Sequence, residues 1–281
     1  MATLIWKNKK KRLAMYGRKQ NENMKKTLTI VKVGGKIVED PASLSQLLDR
    51  FSKIEGLKML VHGGGRTATD VAGQLGIETH MVNGRRITDA QMLRVVTMVY
   101  GGLVNKNIVS QFSAMGFRAL GLTGADMNIV RSHRRPVTPE GVDYGFVGDV
   151  DSVDAEAIAM LVEGGVIPVI APLTLGDGGQ LLNTNADTMA GETAKAMSRL
   201  YDVTLMFCFE KKGVLLDADD DESVIPQITT ESYAELKERG VVSGGMLPKL
   251  DNSFKALRGG VGRVVITRSD QIGLCGTTIT L

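Results

Sequence analysis

Cysteine, proline, histidine and long apolar runs are all scarce in this chain, and each scarcity excludes something. Two cysteines, Cys208 and Cys275, in 281 residues cannot form a disulfide framework. Cys208 lies in an apolar run and reads as a buried core thiol. No stretch approaches the length of about 18 apolar residues that spans a bilayer. The N-terminus has no apolar segment after its charges, so it does not read as a secretory signal, and the cytoplasm is the expected compartment. His62, His80 and His133 have no metal-ligand spacing, and no acidic cluster resembles an all-protein metal cage. There is no Gly-x-x-x-x-Gly-Lys-Ser/Thr, which excludes a P-loop enzyme. A protein-kinase glycine loop followed by His-Arg-Asp is also missing, and nothing supports a nucleophilic triad.

The abundant residue is glycine: 33 glycines against 7 prolines point to many turns and close backbone approaches rather than extended linkers. The net charge of +3 hides an asymmetry. Nine of the 34 Lys/Arg fall in residues 1–26, against a single Glu there, so the remaining 25 face 30 Asp/Glu. Residues 1–26 therefore read as a basic extension, with too few apolar residues for a membrane-binding stripe; translation starting at Met24 is another reading. Residues 27–281 form a mildly acidic body, which argues against a nucleic-acid-binding domain. That length buries a sizeable core as one large α/β domain or two lobes.

Thr29-Ile-Val-Lys32-Val-Gly34-Gly35-Lys36 reads as a β-branched strand entering a tight turn. Gly34 and Gly35 remove both Cβ atoms, so another molecule's polar atoms can approach the backbone. Lys32 sits inside the apolar run and needs either an anion or an open crevice; an edge strand with a solvated lysine also fits the octapeptide. Asp40-Pro41 caps a helix marked by Leu44, Leu47, Leu48 and Phe51. Lys58–Val61 is a second strand, which enters His62-Gly63-Gly64-Gly65. Two glycine turns at strand C-termini within one βαβ unit lie where open parallel sheets bind ligands.

Further on, Asn83-Gly84-Arg85-Arg86 is a turn with two cations. Thr88 and Gln91 form a capping box for a long apolar helix over 88–115, bent or closely packed at Gly101-Gly102. Strands are expected at 119–122, 128–131, 144–147, 166–171 and 203–209, with Pro168 marking an irregular or edge position and Val264–Ile266 the last strand. Asn183, Asn185 and Asp187 alternate ahead of a small-residue helix. Any one of them reads as an N-cap, and together in an extended chain they suggest a polar site. Ser243–Lys249 is a third glycine turn with a lysine. Alternating strands and helices define an α/β fold with a largely parallel sheet.

Lys32, the paired glycines, Arg86, Asn183, Asp187 and Lys249 are what phosphoryl transfer asks for: backbone N–H groups for phosphate oxygens and lysines for the spreading charge. In this order Lys32-Val-Gly-Gly35, Val61-His-Gly-Gly-Gly65, Val82-Asn-Gly-Arg-Arg86-Ile-Thr88, Gly121-Leu-Thr-Gly124, Gly145-Phe-Val-Gly148, Ile167-Pro-Val-Ile-Ala-Pro172, Asn183-Thr-Asn-Ala-Asp187 and Gly245-Met-Leu-Pro-Lys249 resemble the amino-acid kinase family, and within it the members that phosphorylate N-acylated glutamate. The likeness runs from about residue 27 to the C-terminus.

The resemblance implies a three-layer αβα sandwich around a mostly parallel sheet. It implies an acylglutamate-binding, dimerising N-terminal half and a nucleotide-binding part from about 175 to 281. ATP and Mg²⁺ are implied, the metal carried by the nucleotide with no protein metal site. Lys32 and Lys249 would flank the transferred phosphoryl group, and Asp187 would orient both. Gly64, Gly65, Arg86 and Asn183 would hold the acylglutamate, with Gly34, Gly35, Glu210 and Gly245 on the phosphate and nucleotide side. The implied reaction is ATP-dependent phosphorylation of the γ-carboxylate of N-acetyl-L-glutamate, in arginine biosynthesis, by a homodimer or a hexamer.

Some positions depart from the family pattern. Arg66 follows the glycine loop where Pro is usual, Arg85 replaces an apolar residue, Phe209-Glu210 stands where Thr/Ser-Asp is usual, and the stretch after Ile266 is short. Arg66 or Arg85 would suit an acyl group with its own carboxylate, such as succinyl; solvated arginines are the plainer alternative. A different amino-acid kinase, or a non-catalytic sensing relative, are the other readings. The Asn-Gly-Arg-Arg and Asn-x-Asn-Ala-Asp motifs oppose the first, and the presence of Lys32, Asp187 and Lys249 opposes the second.

Overall fold

The strand β1 (Thr27–Val33) is buried from Leu28 to Val33, because it runs through the middle of a sheet covered on both faces. This computed structural model describes residues 25–243 and 246–281. The basic extension up to residue 24, and Gly245 with it, lie outside the described residues. Its last two lysines are tied down: Lys25 Nζ donates to Ser198 O (2.6 Å) and Lys26 pairs with Glu163.

The strands that follow are β2 (Leu57–His62), a short hairpin of β3 (Met81–Val82) and β4 (Arg85–Arg86), then β5 (Ala119–Leu122), β6 (Val130–Arg134) and β7 (Gly148–Val153). After them come β8 (Ile167–Ile170), β9 (Leu173–Leu175), β10 (Leu181–Asn183), β11 (Asp202–Phe209), β12 (Gln227–Ile228), β13 (Arg263–Arg268) and β14 (Thr277–Ile279). The large sheet has the order β12-β14-β13-β11-β1-β2-β8-β5. Its central pairings are all parallel; only β14 runs antiparallel to β13.

Period-2 alternation along β1 sends side chains to two separate cores. Leu28 and Ile30 join Met189, Ala194, Phe254 and Leu257 from the Ala186–Met197 and Met246–Arg258 helices. Val31 and Val33 join Leu44, Leu47, Phe51, Val96 and Phe112 on the other face. Each fully buried Leu, Ile or Phe contributes roughly 1.5–3 kcal/mol to holding the layers together. The result is the expected three-layer αβα sandwich. Lys32 has the parity of Leu28 and Ile30, so it faces the helix that carries Asp187. Among the described residues no helix is long and apolar enough to cross a membrane.

Several local expectations are corrected. Pro168 is fully buried in β8, which pairs on both sides; its missing N–H costs nothing there because pairing with β2 begins only at Val169. The helix cap is Asp89, whose side chain accepts from Met92 N (2.7 Å), so Thr88 is free for other work. Gly101-Gly102 is a close-packing point, where a Cβ on Gly101 would stand 3.6 Å from Leu173 and Thr123. It lies within a π-helical segment, Thr97–Val104, between Ala90–Val96 and Asn105–Ala114. The strand expected at 128–131 is shifted to β6 by the positive φ of Met127 and Asn128. Residues 144–147 make only isolated bridges ahead of β7, and β14 follows the strand read as last. The second sheet, ordered β10-β9-β6-β7, is not expected from the sequence; β9 and β10 are only three residues long, and its two halves meet through the Arg131–Leu175 pairing.

Candidate active site

At the carboxyl ends of β1 and β2 two glycine turns touch each other. Gly34 N–H donates to Cys208 O (3.2 Å) and Gly63 N–H to Val33 O (3.0 Å), continuing the strand pairing by one residue. The Gly34 amide is therefore committed to the sheet, which corrects its expected role as a phosphate donor. The chain then turns into two helices, Gly35–Glu39 and Gly65–Gln74. The N–H groups of Gly35, Gly64 and Gly65 meet no acceptor among the described residues. A Cβ on Gly35 would stand 3.6 Å from both Gly64 N and Gly65 N, and one on Gly63 would stand 3.2 Å from Gly35 N. Side chains here would cover donors that glycine leaves open to an anion.

Across this turn, Lys32 Nζ lies 2.7 Å from Asp187 Oδ1, and Lys249 Nζ lies 3.5 Å from Asp187 Oδ2. One carboxylate, on the Ala186–Met197 helix, thus lies between an ammonium group from β1 and one from the Met246–Arg258 helix. Oδ1 makes no well-angled hydrogen bond despite the 2.7 Å contact, so the attraction to Lys32 is chiefly Coulombic. Burial pushes the Asp187 carboxyl up, but the charges of Lys32 and Lys249 outweigh it and hold the group below its ordinary value. Phe209, at the end of β11, backs Lys249, whose Nζ is 5.7 Å from the ring centre. Two cations around one anion leave net positive charge at this point.

Arg86 lies in the wall of a cleft beside the glycine turn. Its side chain is buried, and Nη2 donates to Gly65 O (2.7 Å) and Thr69 Oγ1 (2.8 Å) while Nη1 donates to Thr79 Oγ1 (3.1 Å). None of these partners is a carboxylate. A buried guanidinium held only by neutral acceptors is poised for an anion. Asn183 is buried in β10 and its Nδ2 donates to Thr88 Oγ1 (2.9 Å), which in turn donates to Arg86 O (3.2 Å). Between these groups lies a cleft of about 190 Å³, walled by Gly63–Gly65, Arg85, Arg86, Tyr100, Pro172 and 183–186.

The alternation at 183, 185 and 187 is not one extended polar run. Asn185 is the helix N-cap, accepting from Asp187 N (2.9 Å) and Thr188 N (3.0 Å). That cap turns the chain so that Asn183 faces the cleft and Asp187 the lysines. Arg85 is half-buried in the cleft wall, and burial, then the neighbouring Arg135, lowers its pKa. Arg66 is exposed and lies 3.9 Å from Glu39. Glu210, half exposed, pairs with Lys36 (2.7 Å). Among the described residues no group of three or more His, Cys, Asp and Glu is arranged to hold a metal.

Thr88 and Tyr100 are site residues that sequence reasoning missed. Thr88 reads as part of a cap, and nothing in the sequence singles out Tyr100. A Cβ on Gly64 would lie 3.0 Å from Tyr100 Cδ1, so the ring packs directly behind the loop. Only the distance in sequence hid that contact.

The amino acid kinase family model matches residues 27–268. The chain is 62% identical over 257 residues to the acetylglutamate kinase of Bacteroides fragilis, covering 92% of this chain and 98% of that protein. It is 51% identical over 245 residues to the acetylglutamate kinase of Cytophaga hutchinsonii, covering 87% and 92%. Among solved structures, smu.665 from Streptococcus mutans UA159 superposes with a TM-score of 0.74 at 28% identity, over 90% of this chain and 98% of that one. The glycine turns, the lysine–aspartate–lysine line and the buried arginine all lie inside the matched span, and the chain belongs to the amino acid kinase family.

Proposed function

We propose that this chain transfers the γ-phosphoryl group of ATP to the γ-carboxylate of N-acetyl-L-glutamate, forming an acyl phosphate in arginine biosynthesis. The observation that carries this reading is the pairing of both Lys32 and Lys249 with Asp187, one residue beyond the 183–186 wall of a cleft that also holds the unneutralised Arg86. Relatives at 62% identity bearing the name acetylglutamate kinase support it.

Arg86 takes the α-carboxylate of the substrate, and Asn183 with Gly64 and Gly65 holds the rest of it, so the γ-carboxylate points toward the lysines. The acceptor is already ionised near neutral pH, so no general base is needed. Nucleotide phosphates, which would bring Mg²⁺ with them, approach from the side of Lys249. Lys32 and Lys249 screen the two anions from each other and stabilise charge on the transferring group, while the free N–H groups of Gly35, Gly64 and Gly65 donate to its oxygens. Asp187 keeps both ammonium groups in place. Residues up to about 175 serve the acylglutamate and the remainder the nucleotide.

We also infer a cytoplasmic homodimer joined along the helix after Thr88, where Met98 and Leu103 are more than half exposed. Light scattering after gel filtration tests that assembly. A second reading keeps the reaction and changes the acyl group. Arg85 stands in the cleft wall beside Arg86, where the distal carboxylate of a succinyl group would find it; Arg66, turned toward Glu39, is worse placed.

Release of ADP across a panel of N-acyl and free amino acids, with the acyl phosphate trapped by hydroxylamine, decides between these readings. No turnover with any acylglutamate refutes the proposal. Preference for the succinyl substrate that is lost in Arg85→Ala would select the second reading.

A further inference from the structure

We propose that His62 is a positioning residue for this site: with Asn105 behind it, its ring fixes the Gly63–Gly64 peptide so that the Gly64 N–H faces the cleft. The proposal rests on the phosphotransferase reading above, but its geometry can be tested without turnover.

His62 is fully buried at the end of β2 and touches neither the lysine line nor Arg86 in the contacts described above. Its Nδ1 lies 2.7 Å from Gly63 O. A carbonyl oxygen only accepts, so Nδ1 carries the proton. Asn105 Nδ2 lies 2.9 Å from Val169 O, which identifies that atom as the amide nitrogen rather than the oxygen. The same Nδ2 lies 3.1 Å from His62 Nε2, and with Nδ1 protonated the neutral ring can only accept there. Both roles of the ring are thus assigned by their partners. Burial, opposed only weakly by the Gly63 contact, lowers the imidazole pKa to about 4, so the ring stays neutral near pH 7.

The consequence follows from peptide geometry. In a trans peptide the C=O and the next N–H point in opposite directions. With Gly63 O drawn inward to the ring, the Gly64 N–H must point away from it, on the side where Gly64 lines the cleft. That N–H meets no acceptor among the described residues. Glycines on both sides of this peptide would otherwise let it rotate freely.

Support from behind comes from the π-helical segment. Tyr100 and Val104 pack against Gly64, and Asn105 is the first residue after the segment ends. π-helical turns are rare and concentrate near functional sites. Here the turn supplies the ring, the methyl group and the amide that hold the loop.

Replacement of His62 by three residues separates positioning from packing. Asn places an amide N–H where Nδ1 was, Gln places its amide near Nε2, and Leu does neither. We expect His62→Leu and His62→Gln to lose about 10- to 100-fold in kcat, with the KM for ATP within roughly threefold of the parent, as for loss of one oriented donor. His62→Asn should recover most of the rate. If Asn and Gln variants are equally slow, or if kcat per folded molecule is unchanged in all three, the positioning role is wrong.

Should the variants not fold, the unmodified protein still decides. Its ¹⁵N spectrum has only three histidines to assign, and His62 must be the neutral Nδ1–H tautomer. An Nε2–H tautomer overturns the proposal. An inactive protein with the Nδ1–H tautomer would instead fault the assigned reaction and leave the loop geometry standing.

Discussion

Changing Asp187 to Asn keeps the shape of the side chain and removes the one negative charge between Lys32 and Lys249. The structure sets the scale of the loss. The Lys32 side chain is 10% exposed and that of Asp187 16%, so their contact at 2.7 Å is largely shielded from water. Lys249 is more open at 26%. Removing one partner of a buried ion pair costs about 3–5 kcal/mol, because the other charge is left uncompensated. The opening of this site onto the cleft favours the lower end, about 3 kcal/mol, or roughly 6–12 °C in Tm for a chain of this size.

The pH dependence isolates the charge. The folded pKa of Asp187 lies below its unfolded value, so its contribution is complete above the ordinary carboxylate pKa of about 4. It disappears as pH falls through the lower folded value. The Tm gap between parent and Asp187→Asn should therefore be constant from about pH 8 to pH 5 and close below about pH 4. Calorimetric scans of both proteins measure it. In kinetics, two lysines without their tether should lower kcat by about 100-fold, while ATP binding is retained because both cations remain. An Asn variant with parental Tm at pH 7 and kcat within about threefold would refute the ion-pair reasoning altogether.

Three further outcomes are expected. Lys32→Ala should lower kcat by about 100-fold or more while raising the KM for ATP only slightly; the reverse pattern in steady-state kinetics would reduce Lys32 to a binding contact. Arg86→Lys should raise the KM for acetylglutamate by at least about tenfold, because one ammonium cannot replace a fork held by Gly65 O, Thr69 and Thr79; an unchanged KM would place the α-carboxylate elsewhere. Cys208 is buried, which pushes its pKa up to about 12, whereas Cys275 is exposed. A disulfide reagent should therefore titrate a single thiol in the folded protein and both after denaturation, and two fast thiols in the native state would contradict the packing around β11.

How far each feature could be read from sequence depended on how local its cause was. Strands β1, β2, β8 and β11 are runs of β-branched and apolar residues that differ from their flanks, and each appeared where the runs predicted. The second sheet escaped notice because β9 and β10 have only three residues each and β6 draws its partners from distant segments. Thr88 was misread because a Thr ahead of a helix with Gln three residues later matches a capping box; Asp89 is the better cap, and Asn183, 95 residues away, takes the Thr88 hydroxyl. His62 carried no signal beyond its place in a glycine motif, since its partner Asn105 lies 43 residues on.

By itself, the sequence determined the α/β class, the strands that carry the glycine turns, and the residue types that bring cations and free amides to strand ends. Those follow from side-chain periodicity and backbone chemistry, which act over a few residues. Tertiary structure alone decided which charges meet. Lys32, Asp187 and Lys249 are separated by 155 and 62 positions and come within 3.5 Å only because the Asp187 helix packs on β1 and the Lys249 helix packs beside it. It also decided that Gly34 gives its amide to the sheet while the amides of Gly35, Gly64 and Gly65 stay free, since an N–H is satisfied or left open by whichever strand happens to lie beside it.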